Sequence, residues 1–267
     1  MDTTTPSRIR GAVIWACTLA AFSPVLVELA GFLLANPWAR YAGVFALLFA
    51  RAASLEREPS PVRRDGLLWI ACGLLIEIAG AFSGAIRIGR VGLVLAGVGA
   101  ARRFGLASSR SLVLWVLAIP TPTAAVKFAV ALLPVDILSL VLKAYASFGI
   151  PLAIQRGPFE MAGAAFTIDA FDTGVALMPL LAGLSWYRSL RLERATREAC
   201  ARAAAASLLA FPAQALFLGL ALGVSVSLEP ALGRQLLSQL PWIAISAISI
   251  FRTERLVASP TALTTPT

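Results

Sequence analysis

The chain of 267 residues is 58% hydrophobic and carries a net charge of +9, with 23 basic residues against 14 acidic ones and no histidine. A membrane-spanning helix needs about 20 mainly apolar residues, so this composition is typical of a multi-pass membrane protein. The missing histidine excludes histidine-ligated zinc or haem sites, Ser-His and Cys-His catalytic pairs and imidazole proton relays. Cys17, Cys72 and Cys200 lie too far apart in sequence to indicate a disulfide framework or a metal site, and we expect no cofactor and no metal.

Apolar runs separated by arginines and prolines follow one another along the chain. We predict an all-α fold with about eight transmembrane helices. They would form a single transmembrane domain over residues 1–258, followed by a disordered tail over 259–267. The runs cover residues 11–35, 41–50, 66–82, 91–100, 111–133, 135–148, 171–190, 203–226 and 235–251. Pro120 and Pro122 are expected to break the fifth run, so that one piece between 111 and 149 is re-entrant.

The arginines predict how the chain is oriented. Positively charged loops stay on the cytoplasmic side of a membrane, and a cytoplasmic N-terminus places sixteen arginines inside and five outside. The outer five are Arg40, Arg87, Arg90, Arg156 and Arg234. We therefore predict a cell-membrane protein with both termini in the cytoplasm. Its basic residues would meet membrane lipid and not nucleic acid.

The segment 149–170 is predicted to lie on the outer face. It is too long for a tight turn, and charged residues, glycine and proline alternate in it with large apolar side chains. This pattern indicates a short hairpin. The segment leads directly into Asp172-Thr173-Gly174, at the mouth of the seventh predicted span.

A series of short motifs runs through residues 85 to 225. It comprises Ile119-Pro120-Thr121-Pro122, a run ending in Ser147-Phe148-Gly149-Ile150-Pro151, an outer segment with Gly157, and Ile168-Asp169-Ala170-Phe171-Asp172-Thr173-Gly174 before an apolar span. In this order and spacing the sequence resembles the exosortase/archaeosortase family of membrane-embedded sorting enzymes. The resemblance implies recognition and processing of C-terminal sorting signals at the outer face. It also implies a cysteine nucleophile assisted by an arginine and a histidine.

The sequence departs from the family pattern at each of those three catalytic positions. Asp172 stands in place of the cysteine and Thr173 in place of the serine that follows it, while Gly174 is kept. The later span, 211–220, has no arginine, and the chain has no histidine. Whether the protein is an enzyme is therefore open. It could be a non-catalytic relative that binds a client with a C-terminal membrane-anchored tail, a divergent aspartate-dependent peptidase or transpeptidase, or a small polytopic transporter.

Asp172 is the first candidate for chemistry. Aspartate is also a favoured N-cap residue at the start of a helix, so Asp172 could have this structural role alone. The helix N-terminus would stabilise its carboxylate. Asp169 lies three residues earlier, and in a helix the two carboxyl groups would be about 5–6 Å apart, close enough to share a proton. Around them we predict a charged binding pocket formed by Thr173, Gly174, Arg87, Arg90 and Arg156.

Other charges and glycines inside the apolar runs are predicted to have structural roles. Charges within a membrane are costly unless paired, so we expect ion pairs at Glu28, Glu77, Lys127, Asp136 and Lys143. Small residues let helices approach closely. We therefore expect tight packing at Gly80, Gly84, Gly89, Gly92, Gly97, Gly99, Gly219 and Gly223.

Overall fold

The computed structural model comprises two compact units. Unit 1 comprises Met1–Asn36 and Ala42–Pro120, and unit 2 comprises Pro37–Tyr41 and Thr121–Thr267. The described residues are 13, 16–56, 63–120, 143, 147, 159–161, 164–166, 175, 177–227 and 246–255. The single transmembrane domain over 1–258 stays a prediction, and the tail 259–267 lies outside the described residues.

Apart from one short hairpin, the described elements are helices, as the apolar runs predict. Those of the first half are α1 (Ser23–Ala35), α2 (Tyr41–Leu55), α3 (Gly66–Phe82), α4 (Ile86–Phe104) and α5 (Leu112–Leu117), with a 3-10 turn at Pro37–Ala39. Those of the second half are α6 (Leu177–Arg191), α7 (Thr196–Leu208) and α8 (Ala210–Ser227), with a further helical segment at 246–255. The hairpin pairs β1 (Phe159–Met161) with β2 (Ala164–Phe166) in antiparallel register. The hairpin expected within 149–170 is therefore confirmed, while its position on the outer face stays a prediction.

Prolines set two of the helix boundaries. Residues 16–20 are already helical, but a turn at Phe22 divides the first apolar run, and α1 starts with Pro24 in its first turn. Proline is favoured there because it lacks the N–H that a first turn leaves unpaired. At the other boundary, α5 is only six residues long and ends before Pro120. The helix thus ends where the break was expected, and the rest of the run, with Pro122, lies outside the described residues.

The tightest packing in unit 1 is a glycine seam between α3 and α4. Gly66, Gly73 and Gly80 recur every seven residues along α3 and are all buried. A Cβ atom added at Gly73 would lie 2.5 Å from the carbonyl oxygen of Gly92, and one at Gly66 would lie 2.6 Å from that of Gly99. Real side chains do not tolerate such distances, so the two backbones touch only because neither carries a side chain there.

The glycine predictions hold for some positions and fail for one. Gly80, Gly89, Gly92, Gly97 and Gly99 all lie against neighbouring helices, and Gly97 faces the indole ring of Trp115 on α5. Gly84 has open space around it and a φ of +69°. The prediction that Gly84 packs against a neighbouring helix is therefore wrong. Gly84 instead adopts the left-handed backbone conformation of the turn that joins α3 to α4.

The outward face of α3 carries the large apolar side chains. Leu67, Leu68, Leu75, Ile78 and Phe82 are all at least half exposed, and Phe82 is 90% exposed. A water-soluble helix pair buries its large apolar residues and exposes small or polar ones. In α3 the distribution is reversed.

The count of eight full-length spans is not supported by the described helices. Within the described residues, one helical stretch, Thr196–Phe217, is long and apolar enough to cross a membrane. The apolar helices Ser23–Ala35, Tyr41–Leu55 and Gly66–Phe82 have 13, 15 and 17 residues. At about 1.5 Å per residue they are roughly 20–26 Å long, against about 30 Å for the hydrocarbon core.

The glycine seam predicts a sharp contrast between two glycine substitutions. Gly73→Ala places a methyl group against the backbone of α4 and should lower the free energy of unfolding by about 1–3 kcal/mol. Gly43 lies within α2 and would meet nothing within 4 Å, so Gly43→Ala should stabilise by about 0.5–1 kcal/mol. Thermal unfolding of the detergent-purified variants measures both. Equal transition temperatures for the two would refute the tight seam.

Candidate functional site

A buried ion pair joins α1 to α4. The guanidinium of Arg90 donates from Nε to Glu28 Oε2 at 2.9 Å and from its terminal nitrogen to Glu28 Oε1 at 2.7 Å. The side chain of Arg90 is 8% exposed and that of Glu28 is 26% exposed. Such a two-bond pairing of a planar guanidinium with a carboxylate is short, directional and strong. The expectation that Glu28 forms an ion pair is confirmed.

An aromatic ring completes the surroundings of Arg90. The guanidinium carbon lies 4.3 Å from the centre of the Phe32 ring. Phe32 is one helical turn beyond Glu28, so both side chains reach Arg90 from the same face of α1. A cation over an aromatic face is favourable, and more so where water is excluded. Arg90 is thus held by both a carboxylate and a ring from one helix.

Glu77 of α3 reaches the same place. Its carboxylate packs on Gly89, and a Cβ atom at Gly89 would clash with it and also lie 2.5 Å from Cγ2 of Val25 on α1. The lack of a side chain at position 89 therefore lets three helices meet beside Arg90. We call Glu28, Glu77 and Arg90 the charged cluster. Among the described residues, the carboxyl group of Glu77 has no ion-pair or hydrogen-bond partner, so the pairing predicted for it is not found there.

The chemistry open to the charged cluster is limited by its residue types. Arginine stays protonated in proteins, so the Glu28–Arg90 pair is neutral as a whole and offers no proton to a reaction. Within the described part of the chain, no group of three or more histidine, cysteine, aspartate or glutamate residues could hold a metal ion. The pair therefore fixes α1 against α4, and the carboxyl group of Glu77 is left without a partner among the described residues.

Most of the predicted catalytic and binding residues lie outside the described residues. This applies to Asp172, Asp169, Thr173, Gly174, Arg156, Gly157 and Pro122. Arg87 is described and lies exposed near the start of α4. Arg90, predicted to belong to the pocket around Asp172, pairs with Glu28. The charged pocket around Asp172 stays a prediction.

A second carboxylate, Glu56, joins the end of α2 to the start of α5. It accepts hydrogen bonds from the backbone N–H and the hydroxyl of Ser108, both at 2.7 Å, and from the hydroxyl of Ser111. Ser111 is also the N-cap residue of α5. Sequence reasoning missed this contact, although two serines three residues apart before an apolar run are a signal of a helix start.

In unit 2, ionic contacts gather where α6 ends and α7 begins. Glu254 accepts a hydrogen bond from the hydroxyl of Tyr187 and pairs with Arg191 at 3.4 Å. These contacts tie the segment 246–255 to α6. On α7, Glu198 pairs with Arg202 at 2.9 Å and with Arg194. The arginines predicted to lie in one cytoplasmic loop are thus partly engaged by neighbouring carboxylates.

Comparison of the chain with known proteins found no match. No protein-family model matches the chain. No curated protein and no solved structure matches it either. The function must therefore be argued from the residues themselves.

The Glu28–Arg90 pair predicts unequal effects for two arginines of the same helix. Arg90→Met leaves the Glu28 carboxylate without its guanidinium and should cost about 2–4 kcal/mol of unfolding free energy. Arg87→Met changes an exposed side chain and should stay within about 0.5 kcal/mol of wild type. The double variant Glu28→Leu/Arg90→Met should recover most of the loss, because no unpaired charge remains. Chemical denaturation in detergent measures all three. If Arg90→Met were as stable as Arg87→Met, the pair would be structurally unimportant.

Proposed function

We propose that the protein is a multi-pass membrane protein. The observation that carries this proposal is the reversed distribution of side chains on α3 and α4, with glycine and alanine buried between the helices and leucine, isoleucine and phenylalanine exposed. Lipid tails are as apolar as leucine, so membrane helices associate through small residues that allow close contact. Exposing the same surface to water would be unfavourable, and soluble monomers rarely expose a contiguous apolar patch of this kind.

Unit 2 supports the same proposal. Only 11% of the most apolar part of Thr196–Phe217 is buried within the protein. Its exposed large residues include Leu208, Leu209 and Leu216, at 65%, 62% and 70%. The core helix of a soluble protein would be mostly buried. A lipid environment accounts for the exposure. The shorter helices α1 to α3 would lie within a bilayer by local thinning or by packing against neighbours.

The arginines of unit 1 support the predicted orientation. Arg63 donates its backbone N–H to the carbonyl oxygen of Arg102, and Arg102 pairs with Asp65 at 2.9 Å. The start of α3 and the end of α4 therefore form one arginine-rich end of the helix pair. Arg87 and Arg90 lie near its other end. The more basic end would face the cytoplasm, which places the turn at Ser83 outside.

Single cysteines test this orientation. In a chain whose three native cysteines are replaced by alanine, Ser83→Cys lies in the exposed turn after α3, and Glu193→Cys lies in the exposed turn between α6 and α7. We expect a membrane-impermeant maleimide to label position 83 in intact cells and position 193 only after the membrane is permeabilised. Labelling of both positions in intact cells would contradict the predicted orientation.

For the activity, we propose that the protein binds or positions clients that carry a C-terminal sorting tail, as an exosortase-like relative without the cysteine-thioester reaction. The proposal is supported by the helix end before Pro120 and by the hairpin at 159–166, which occur in the order of the sequence motifs. The loss of the cysteine-thioester reaction is inferred from Asp172 at the nucleophile position and from the lack of histidine.

Two alternatives stay open within this proposal. An aspartate-dependent peptidase or transpeptidase would use Asp172 with Asp169. A small transporter is favoured by one observation, the charged cluster among apolar helices, because ionisable groups inside membranes often mark a substrate or ion pathway.

Co-expression with a client separates these possibilities. The clients to test are proteins encoded by neighbouring genes that end in a short motif, one apolar helix and arginines. We expect wild-type protein to co-purify with such a client, and mass spectrometry to find the tail of the client uncut. A cut tail that becomes uncut with Asp172→Asn would instead support the aspartate enzyme. If no such client is encoded or captured, the sorting role is wrong and transport becomes the better hypothesis.

A further inference from the structure

Seven arginines of unit 2 gather at one end of its helices. We call this group the arginine end: Arg188, Arg191, Arg194, Arg197, Arg202, Arg252 and Arg255. The turn 192–195 joins the last turn of α6 to the first turn of α7, so the arginines of both helices lie near that turn. Glu254 brings the segment 246–255 to the same place through its contacts with Tyr187 and Arg191.

The carboxylates at this end do not neutralise the arginines. Its three acidic residues are Glu193, Glu198 and Glu254. Glu198 and Glu254 are occupied by Arg194, Arg202 and Arg191. Arg188, Arg197 and Arg252 are exposed, and none of their guanidinium groups has an ionic or hydrogen-bonding partner in the part of the chain that the structure describes. An excess of positive charge is therefore left on the surface.

Exposed apolar side chains lie directly beside this charge. On the segment 246–255, Ile248 and Phe251 are 65% and 59% exposed, and the guanidinium of Arg255 stacks on Phe251 at 4.2 Å. On α7 the last charge is Arg202, and the exposed Leu208 and Leu209 follow within two helical turns. A surface that passes from arginines to exposed apolar residues over such a short distance matches the boundary between lipid headgroups and lipid tails.

We propose that the arginine end binds the headgroup phosphates of anionic phospholipids through Arg188, Arg197 and Arg252. Guanidinium groups match phosphate oxygens in charge and in hydrogen-bond geometry. Anionic lipids are favoured over zwitterionic ones because the surface carries excess positive charge. The exposed side chains Ile248 and Phe251 would contact the acyl chains of the same lipids. This inference rests on the proposed membrane location and adds the class of lipid and the residues that select it.

Lipid titration tests the proposal directly. Full-length protein purified in neutral detergent is titrated with short-chain phosphatidylglycerol, with phosphatidylcholine of the same chain length, and with inorganic phosphate, and the affinity is measured by calorimetry. We expect wild-type protein to prefer phosphatidylglycerol. The variant Arg188→Gln/Arg197→Gln/Arg252→Gln should bind it at least about tenfold more weakly.

Two matched variants distinguish specific lipid binding at the arginine end from a general effect of the protein's net positive charge. Arg51→Gln/Arg64→Gln/Arg87→Gln removes the same charge from exposed arginines of unit 1 and should change the affinity less than about threefold, since these residues lie outside the arginine end. Arg188→Lys/Arg197→Lys/Arg252→Lys keeps the charge and should retain the preference for phosphatidylglycerol. An equal loss in the two glutamine variants would overturn the proposal.

The remaining outcomes are also decisive. Equal affinity for the two lipids, or displacement of phosphatidylglycerol by an equal concentration of inorganic phosphate, would overturn it. Alkaline carbonate extraction of native membranes reports separately on the membrane location. Release of the protein by carbonate together with selective binding of phosphatidylglycerol would reject the membrane-spanning proposal and keep the lipid site. Protein that stays in the membrane after carbonate extraction but binds the two lipids equally would keep the membrane-spanning proposal and reject the lipid site.

Discussion

In unit 1, the direct backbone contact between α3 and α4 determines where the large side chains of α3 can lie. It exists because glycines spaced by seven residues on α3 face glycines on α4. Because the shared face carries glycine, the large side chains Leu67, Leu68, Leu75, Ile78 and Phe82 lie on the exposed faces of α3. The exposed apolar surface is thus a consequence of how the helices pack, and the proposed lipid environment would make that arrangement favourable.

The charged cluster depends on the same close packing. Gly89 leaves room for the Glu77 carboxylate and for Val25, which allows α1, α3 and α4 to meet around Arg90. The pair between Glu28 and Arg90 then neutralises a charge that would be costly among apolar helices. Unit 2 differs, because its ionic contacts lie at a helix end where several arginines remain exposed. The first arrangement stabilises the fold, and the second leaves charge available to a partner.

Local patterns predicted much of the helical structure. The apolar run 66–82 coincides with α3, and Pro120 follows the end of α5. The apolar run 91–100 is shorter than the helix that contains it, because α4 spans Ile86–Phe104. The flanking arginines interrupt the apolar pattern without ending the helix. The described helices do not support eight full-length spans, because apolar composition does not show where a turn such as that at Phe22 divides a run.

The candidate site was harder to predict. Glu28 and Arg90 are 62 residues apart, and a contact over that separation leaves no local pattern. The apolar residues around Glu28 in the sequence predict that its carboxylate is paired. They do not predict that Arg90 is the partner. For Asp169 and Asp172 the argument still rests on their place in the sequence and on the family resemblance.

The central claim is that the exposed apolar face of α3 contacts lipid. A spin label at Leu75→Cys, in the cysteine-free protein reconstituted into phosphatidylcholine vesicles, tests this claim most directly, because Leu75 is 65% exposed and lies in the middle of the helix. Membrane-buried labels collide often with oxygen, which dissolves in lipid, and rarely with a water-soluble nickel chelate. We expect this pattern at position 75. Frequent collision with the nickel chelate, comparable to that of a label at Glu193→Cys, would contradict it.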